Sequence, residues 1–222
     1  MPGGGKRASV RVLVLGDSGV GKSSIINCFI SSSFEENLAP VIPAAILPAE
    51  ATPESSPLTI VDTPGQPDMT LLDEEIRRAD IALVIYAVDK PASLPRVSSH
   101  WLPLIKSKST NLPVVVVGSK VDLRAGDSSR IENDLRNAAS PIMEVFSEVE
   151  TCIECSAKKM INISEVFFFA AKAVLHPTAP LYDTKHHELR PPCARALRRI
   201  FNMCDADGDG ALSDNELIRF QE

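Results

Sequence analysis

The chain has 222 residues, a net charge of −6 and 44% apolar side chains. That length suits one full domain and part of a second, with enough apolar content to bury a core. The acidic balance speaks against a nucleic-acid partner, and no basic stretch is dense enough for a polybasic membrane signal.

Residues 1–7 read as a flexible N-terminus. Val10 to Leu15 is rich in Val and Leu without polar alternation, which predicts a buried strand. A Gly-rich turn, Gly16 to Gly21, follows, then a helix through Ser24, Ile25, Ile26 and Phe29. Further strands are expected at Leu58 to Val61, Ile81 to Val88, Val114 to Val117 and Cys152 to Cys155. Helices are expected at Leu71 to Arg78, Val97 to Ile105, Ile131 to Phe146 and Ser164 to Leu175. Strands alternating with helices predict an α/β domain over 8–176, a mostly parallel sheet with helices on both faces. Leu38 to Pro57 carries Pro40, Pro43, Pro48, Pro53 and Pro57, so any strand there lies at an edge. Residues 177–191 read as a linker. A helix from about Cys193 to Met203, with Ala194, Leu197, Ile200 and Phe201 on one face, opens a second, partial helical domain over 192–222.

Gly16-Asp17-Ser18-Gly19-Val20-Gly21-Lys22-Ser23, followed by Ser24, fits G-x-x-x-x-G-K-[ST] between a strand and a helix. In such a phosphate loop (P-loop) the glycines let backbone N–H groups converge on phosphate oxygens, and the helix adds its positive end. Lys22 would reach the β- and γ-phosphates, and the Ser23 hydroxyl would bind Mg²⁺. Asp62, at the end of the second strand, suits the same Mg²⁺ through water. The Gly65 N–H would sense a γ-phosphate, and Gln66 would orient the attacking water. Pro67, directly after, constrains that loop.

Ser119-Lys120-Val121-Asp122 follows the fourth strand. The Asp122 carboxylate can accept from N1–H and the 2-amino group of guanine, which adenine cannot match. The Lys120 stem would pack over the ring, and the N–H groups of Ser156-Ala157-Lys158 would reach the guanine O6. The predicted ligands are therefore GTP or GDP with Mg²⁺.

In this order these motifs resemble those of the Ras-superfamily small GTPases, over roughly residues 8 to 176. The resemblance implies the P-loop NTPase small-GTPase fold and places Phe34 against the guanine. It also exposes two departures. The family keeps Asn where Ser119 stands, which implies weaker bracing of the phosphate loop. It keeps a Thr in its first switch, where this chain has Pro40-Val41, neither with a hydroxyl. Thr52 could substitute only through a rearranged loop.

Asp205 to Glu216 fits the twelve-residue EF-hand loop: Asp205, Asp207 and Asp209 at one, three and five, Gly210 at the turn, the Ala211 carbonyl at seven, Ser213 at nine and Glu216 at twelve. These hard oxygen donors suit Ca²⁺, with Mg²⁺ as competitor. The exit helix, from Leu217, is barely begun where the sequence stops, and the sequence reads as a fragment.

A small-GTPase domain leading into an EF-hand resembles the Miro (mitochondrial Rho) family. Ser99-His100-Trp101-Leu102-Pro103-Leu104-Ile105, Glu154-Cys155-Ser156-Ala157-Lys158 and Ala173 to Tyr182 carry that resemblance. It implies the cytosolic face of the mitochondrial outer membrane, roles in mitochondrial transport and morphology, and motor-adaptor partners. It also implies a membrane anchor in a C-terminal part that this sequence does not include.

Other signals are weaker. Cys28, Cys152, Cys155, Cys193 and Cys204 predict no disulfide framework and fit a reducing compartment. The Cys152–Cys155 pair has no second pair with zinc spacing. No signal peptide, prenylation box or bilayer-length apolar run is read, so the chain as given is expected to be soluble. The residues leave two activities open, a slowly GTP-hydrolysing switch and a docking module that holds nucleotide with little turnover. A Ca²⁺-sensing role is compatible with either.

Overall fold

The computed structural model describes residues 9–52, 54–109, 111–124, 141–177, 182–183, 187–207, 209–214 and 216. The chain forms two compact units, Met1–Pro177 and Thr178–Glu222.

The first unit is built on a sheet of β1 (Val10–Gly16), β2 (Ala45–Leu47), β3 (Leu58–Asp62), β4 (Ile81–Ala87), β5 (Val114–Ser119) and β6 (Val149–Glu154), in the order β2-β3-β1-β4-β5-β6. All neighbours are parallel except β2, which runs antiparallel to β3 at the edge. Every residue of β4 and β5 is buried, as expected of strands covered on both faces. The proline-rich segment thus yields only a three-residue edge strand, because proline cannot donate to an interior ladder.

One face is covered by α1 (Lys22–Ser31) and α5 (Ile163–Leu175). Ile25, Ile26, Val166 and Phe167 pack there on Val12, Val14 and Leu83. Phe29 stacks on Phe167 with ring centroids 4.0 Å apart. Burial of a side chain the size of Phe167 stabilises the fold by roughly 1.5–3 kcal/mol.

The other face carries α2 (Met69–Arg78), α3 (Ser93–Arg96) and α4 (Leu102–Lys108), with Leu72, Ile76, Trp101, Leu102 and Ile105 inward. Between α3 and α4 the backbone makes a π-turn at Val97–Trp101, where the Leu102 N–H bonds the Val97 carbonyl. Pro103, one residue on, has no N–H to continue the ordinary ladder. The helix expected from Val97 therefore starts earlier, at Ser93, and is irregular. Of the helix expected at Ile131 to Phe146, residues 131–140 lie outside the described residues and 141–145 are helical.

In the register of the parallel strands Gly16 lies opposite Ile85, Asp62 opposite Val14, Ala87 opposite Ser119 and Glu154 opposite Gly118. The carboxyl ends of β1, β3, β4, β5 and β6 therefore share one rim, where such sheets hold ligands.

The second unit departs from the expected featureless linker. β7 (Tyr182–Asp183) and β8 (Glu188–Leu189) pair antiparallel, with Tyr182 opposite Leu189 and Asp183 opposite Glu188. α6 (Pro191–Cys204) then begins two residues earlier than expected, because Pro191 and Pro192 occupy the first turn, where a missing N–H costs nothing. The expected exit helix, 217–222, lies outside the described residues. Among the described residues no helix is long and apolar enough to cross a membrane.

Candidate nucleotide and metal sites

The phosphate loop joins β1 to α1. Gly21, at φ +95°, precedes α1 without any side-chain cap, and the first bond of the helix runs from the Ile25 N–H to the Gly21 carbonyl. The N–H groups of Lys22, Ser23 and Ser24 are thus left without intrahelical partners, a donor set suited to an anion. Gly16 needs its φ of +141°, and any side chain there would meet the Ile85 carbonyl oxygen at 2.4 Å. The Lys22 ammonium donates to the Gly16 and Asp17 carbonyls at 2.8 and 2.9 Å. Burial lowers its pKa, while the Asp62 and Asp17 carboxylates pull it back up.

Ser18, Gly19, Gly21, Lys22, Ser23 and Ser24 line a cavity of about 340 Å³, together with Glu36 to Pro40 of the first switch (Asn37 excepted), Pro64 and Gly65. Gly65 sits so close to the loop that a Cβ there would stand 2.4 Å from Ser18 Cα. Gln66 is exposed immediately after it, and Asp68 then caps α2 by accepting from the Thr70 and Leu71 N–H groups.

The Ser23 hydroxyl donates to Asp62 Oδ2 at 2.6 Å, and the Ile42 N–H reaches the same oxygen at 3.1 Å. Asp62 Oδ1 is buried with no hydrogen-bond partner. Hard oxygens in contact with one buried orphan fit a small divalent cation such as Mg²⁺. The first switch approaches through backbone groups: the Pro40 carbonyl lies 3.3 Å from Ser23 Oγ. Thr52 does not substitute for the absent switch hydroxyl. It is buried away from the site, with its Oγ on the Ala49 and Ser56 carbonyls and accepting from the Ser56 N–H.

Gly21, Ser24, Phe34, Ser119, Lys120, Asp122, Ala157 and Lys158 are among the residues that enclose a second cavity of about 240 Å³ beside the first. The Ser156 hydroxyl donates to Asp122 Oδ1 at 2.5 Å and accepts from the Lys159 N–H, which fixes the carboxylate toward the cavity. Lys120, in the left-handed region at φ +61°, donates to the Gly19 carbonyl at 3.0 Å and to Asp89 at 2.9 Å. At Ser119, where weaker bracing is expected, one tie to the phosphate loop is present. The Ser119 hydroxyl, 2% exposed, donates to the Val20 carbonyl, so the shorter side chain still ties the base loop to the phosphate loop.

Several supporting side chains escaped the sequence reading. Glu154, behind the base loops, accepts both arms of Arg124 at 2.6 Å and the Tyr86 hydroxyl at 3.2 Å. Its burial and the Glu154 charge raise the Tyr86 pKa. The Asp17 carboxylate faces away from the phosphate cavity. It is held by Arg96 Nε at 2.8 and 2.9 Å and by the Trp101 indole N–H at 3.0 Å, so only its backbone belongs to the site. Lys90 donates to the Ser18 carbonyl at 3.1 Å. None of these contacts has a local motif; the Trp101 segment alone stood out, through the family resemblance.

In the second unit the carboxylate oxygens of Asp205, Asp207 and Asp209 lie within 4.8 Å of one another. Asp205 accepts from the Asp209 and Gly210 N–H groups, Asp207 from the Asp209 N–H and Asp209 from the Ala211 N–H. Gly210 takes the sharp turn at φ +82°. Glu216 closes the loop, with Oε1 on the Ala206 N–H and Oε2 on the N–H and hydroxyl of Ser213. The Ser213 hydroxyl, then the Ser213 and Ala206 N–H groups, hold the Glu216 carboxyl down at about 2.

Curated relatives match nearly the whole chain, and a family model matches most of the first unit. Mitochondrial Rho GTPase 2 of Arabidopsis thaliana is 50% identical over 218 residues, 98% of this chain and 33% of that protein. Mitochondrial Rho GTPase 1 of Mycosarcoma maydis is 46% identical over 97% of this chain and 28% of its own length. Mitochondrial Rho GTPase 1 of Arabidopsis thaliana is 48% identical over 98% and 33%. The chain therefore spans about a third of the length of the curated relatives it matches. The Ras family model matches residues 11–176, from Arg11 in β1 to His176 just past α5, and on that span the chain belongs to the Ras family.

Proposed function

We propose that the chain is a GTP-binding, slowly GTP-hydrolysing switch of the Miro type. Two adjoining cavities carry this reading, one rimmed by uncapped helix N–H groups and Lys22, the other by Asp122, Phe34 and Lys120. Lys22 takes the β- and γ-phosphates, and Ser23, with Asp62 through water, would hold Mg²⁺, which would supply charge neutralisation for phosphoryl transfer. The Gly65 N–H meets the γ-phosphate, and Gln66 orients the water that attacks it in line, leaving GDP and phosphate. Asp122 selects guanine, because adenine offers its carboxylate neither of guanine's two donors. Single-turnover conversion of GTP, followed by chromatography with ATP as control, tests the reading. GTP consumed while ATP persists supports it, and a Gln66→Ala variant that hydrolyses as fast as the parent removes Gln66 from the mechanism.

A second reading, a docking module with little turnover, has its own support. The first switch is fastened by the Pro40 carbonyl and Ile42 N–H, with no hydroxyl at Pro40-Val41 to sense a γ-phosphate. Bound GTP that survives intact would favour it.

The loop from Asp205 to Glu216 is proposed as a Ca²⁺ site, on the convergence of three carboxylates beside Glu216, with Ala211 and Ser213 completing the oxygen set. By similarity to relatives named mitochondrial Rho GTPases, the chain acts at the mitochondrial outer membrane, facing the cytosol. Its proposed partners are motor adaptors and its roles mitochondrial transport and morphology.

A further inference from the structure

Each carbonyl of the phosphate loop from Gly16 to Val20 receives a side-chain donor. Lys22 serves Gly16 and Asp17, Lys90 serves Ser18, Lys120 serves Gly19 and Ser119 serves Val20. Lys90 differs from the others. Lys22 lines the cavity itself, Lys120 is neutralised by Asp89 and Ser119 carries no charge. Neighbouring cations are also taken: Arg96 by Asp17 and Arg124 by Glu154. Among the described residues Lys90 has no carboxylate within ion-pair distance, although Asp89 is its neighbour in sequence. Its ammonium lies against the loop backbone, so close that a Cβ on Gly19 would stand 2.6 Å from Nζ. Ser18 and Gly19 both line the phosphate cavity.

We propose that Lys90 is a positioning residue for the nucleoside triphosphate: it fixes the Ser18–Gly19 turn from outside and supplies, within the same chain, a cation that favours the triphosphate over the diphosphate. This rests on the nucleotide reading above. The extra negative charge of a triphosphate gains more from a nearby unpaired ammonium than a diphosphate does, and because Lys90 is exposed the gain is screened by salt.

The test uses the intact chain with Mg²⁺ and fluorescent GTP and GDP derivatives, at low and high salt, in the parent, Lys90→Gln and Lys90→Arg. Lys90→Gln should raise the Kd for GTP about three- to fivefold and that for GDP less than about twofold, as expected of one partly screened charge. The difference should shrink at high salt, and Lys90→Arg should restore the parent ratio. An unchanged ratio of GTP to GDP affinity in Lys90→Gln overturns the proposal. So does an equal loss for both nucleotides that Arg fails to rescue, which marks a loop merely disturbed. A parent chain that binds neither nucleotide overturns the nucleotide reading itself, an outcome distinct from the other two.

Discussion

The phosphate loop and the acidic loop meet opposite electrostatic demands by opposite means. Around the phosphate loop the Ser18, Gly19 and Val20 carbonyls are held by donors far away in sequence: Lys90 is 72 residues from Ser18, Ser119 is 99 from Val20 and Lys120 is 101 from Gly19. Around the acidic loop the bonds described above span ten residues or fewer. A site that must present N–H groups to an anion has its carbonyls occupied by the surrounding fold. A site that must present carboxylates can steady them on its own N–H groups and give those bonds up when a cation arrives. The first should therefore fail when distant residues change, and the second only when its own residues do.

The sharpest break is expected at Asp122. Asp122→Asn removes the charge that accepts from guanine, and two charge-assisted bonds at about 1.5–3 kcal/mol each predict a loss of GTP affinity on the order of 10³-fold, read by calorimetry. Next is Glu216→Gln, in a chain extended through a paired hand. Loss of one ligand charge should weaken Ca²⁺ binding on the order of tenfold while GTP affinity stays put. An unaltered Ca²⁺ affinity would remove Glu216 from the ligand set. Arg124→Ala leaves the buried Glu154 carboxylate without its cation, the Tyr86 hydroxyl remaining, and should cost about 2 kcal/mol, since the pair is not fully enclosed. In a unit of this size that lowers Tm by about 4–8 °C in a thermal melt. The smallest effect belongs to Ser119→Ala, which strips the Val20 carbonyl of its donor at about 1 kcal/mol. Nucleotide release should quicken about fivefold in stopped-flow measurements with no change in Tm beyond about 4 °C. Release at the parent rate would mean the link between base loop and phosphate loop is idle.

Much of this architecture was legible from the sequence because the site is built where strands end. Val10 to Gly16, Leu58 to Asp62 and Val114 to Ser119 announce themselves by runs rich in Val, Leu and Ile, and each hands over to residues with chemistry. What the residues did not disclose lies in tertiary pairing. The sequence marks Ser119 as a departure from the family, yet only the fold brings its hydroxyl under the Val20 carbonyl. The Asp17 carboxylate sits inside the phosphate motif but turns to Arg96 and Trp101, which a π-turn before Pro103 presents to it. Thr52 looked available as a switch hydroxyl until its own turn claimed it. The β7–β8 pair was missed because two-residue strands between prolines carry no periodicity to read.

The short edge strand β2 has a consequence for behaviour at high concentration. Ile46 is 78% exposed on it, an apolar side chain on an open strand edge and so an invitation for a second chain to add on. Yet only Ala45 to Leu47 offer pairing groups, bounded by Pro43 and Pro48. A neighbour could form at most a stub of ladder before the prolines end it. The prolines that bound β2 thereby make this edge a poor seed for aggregation.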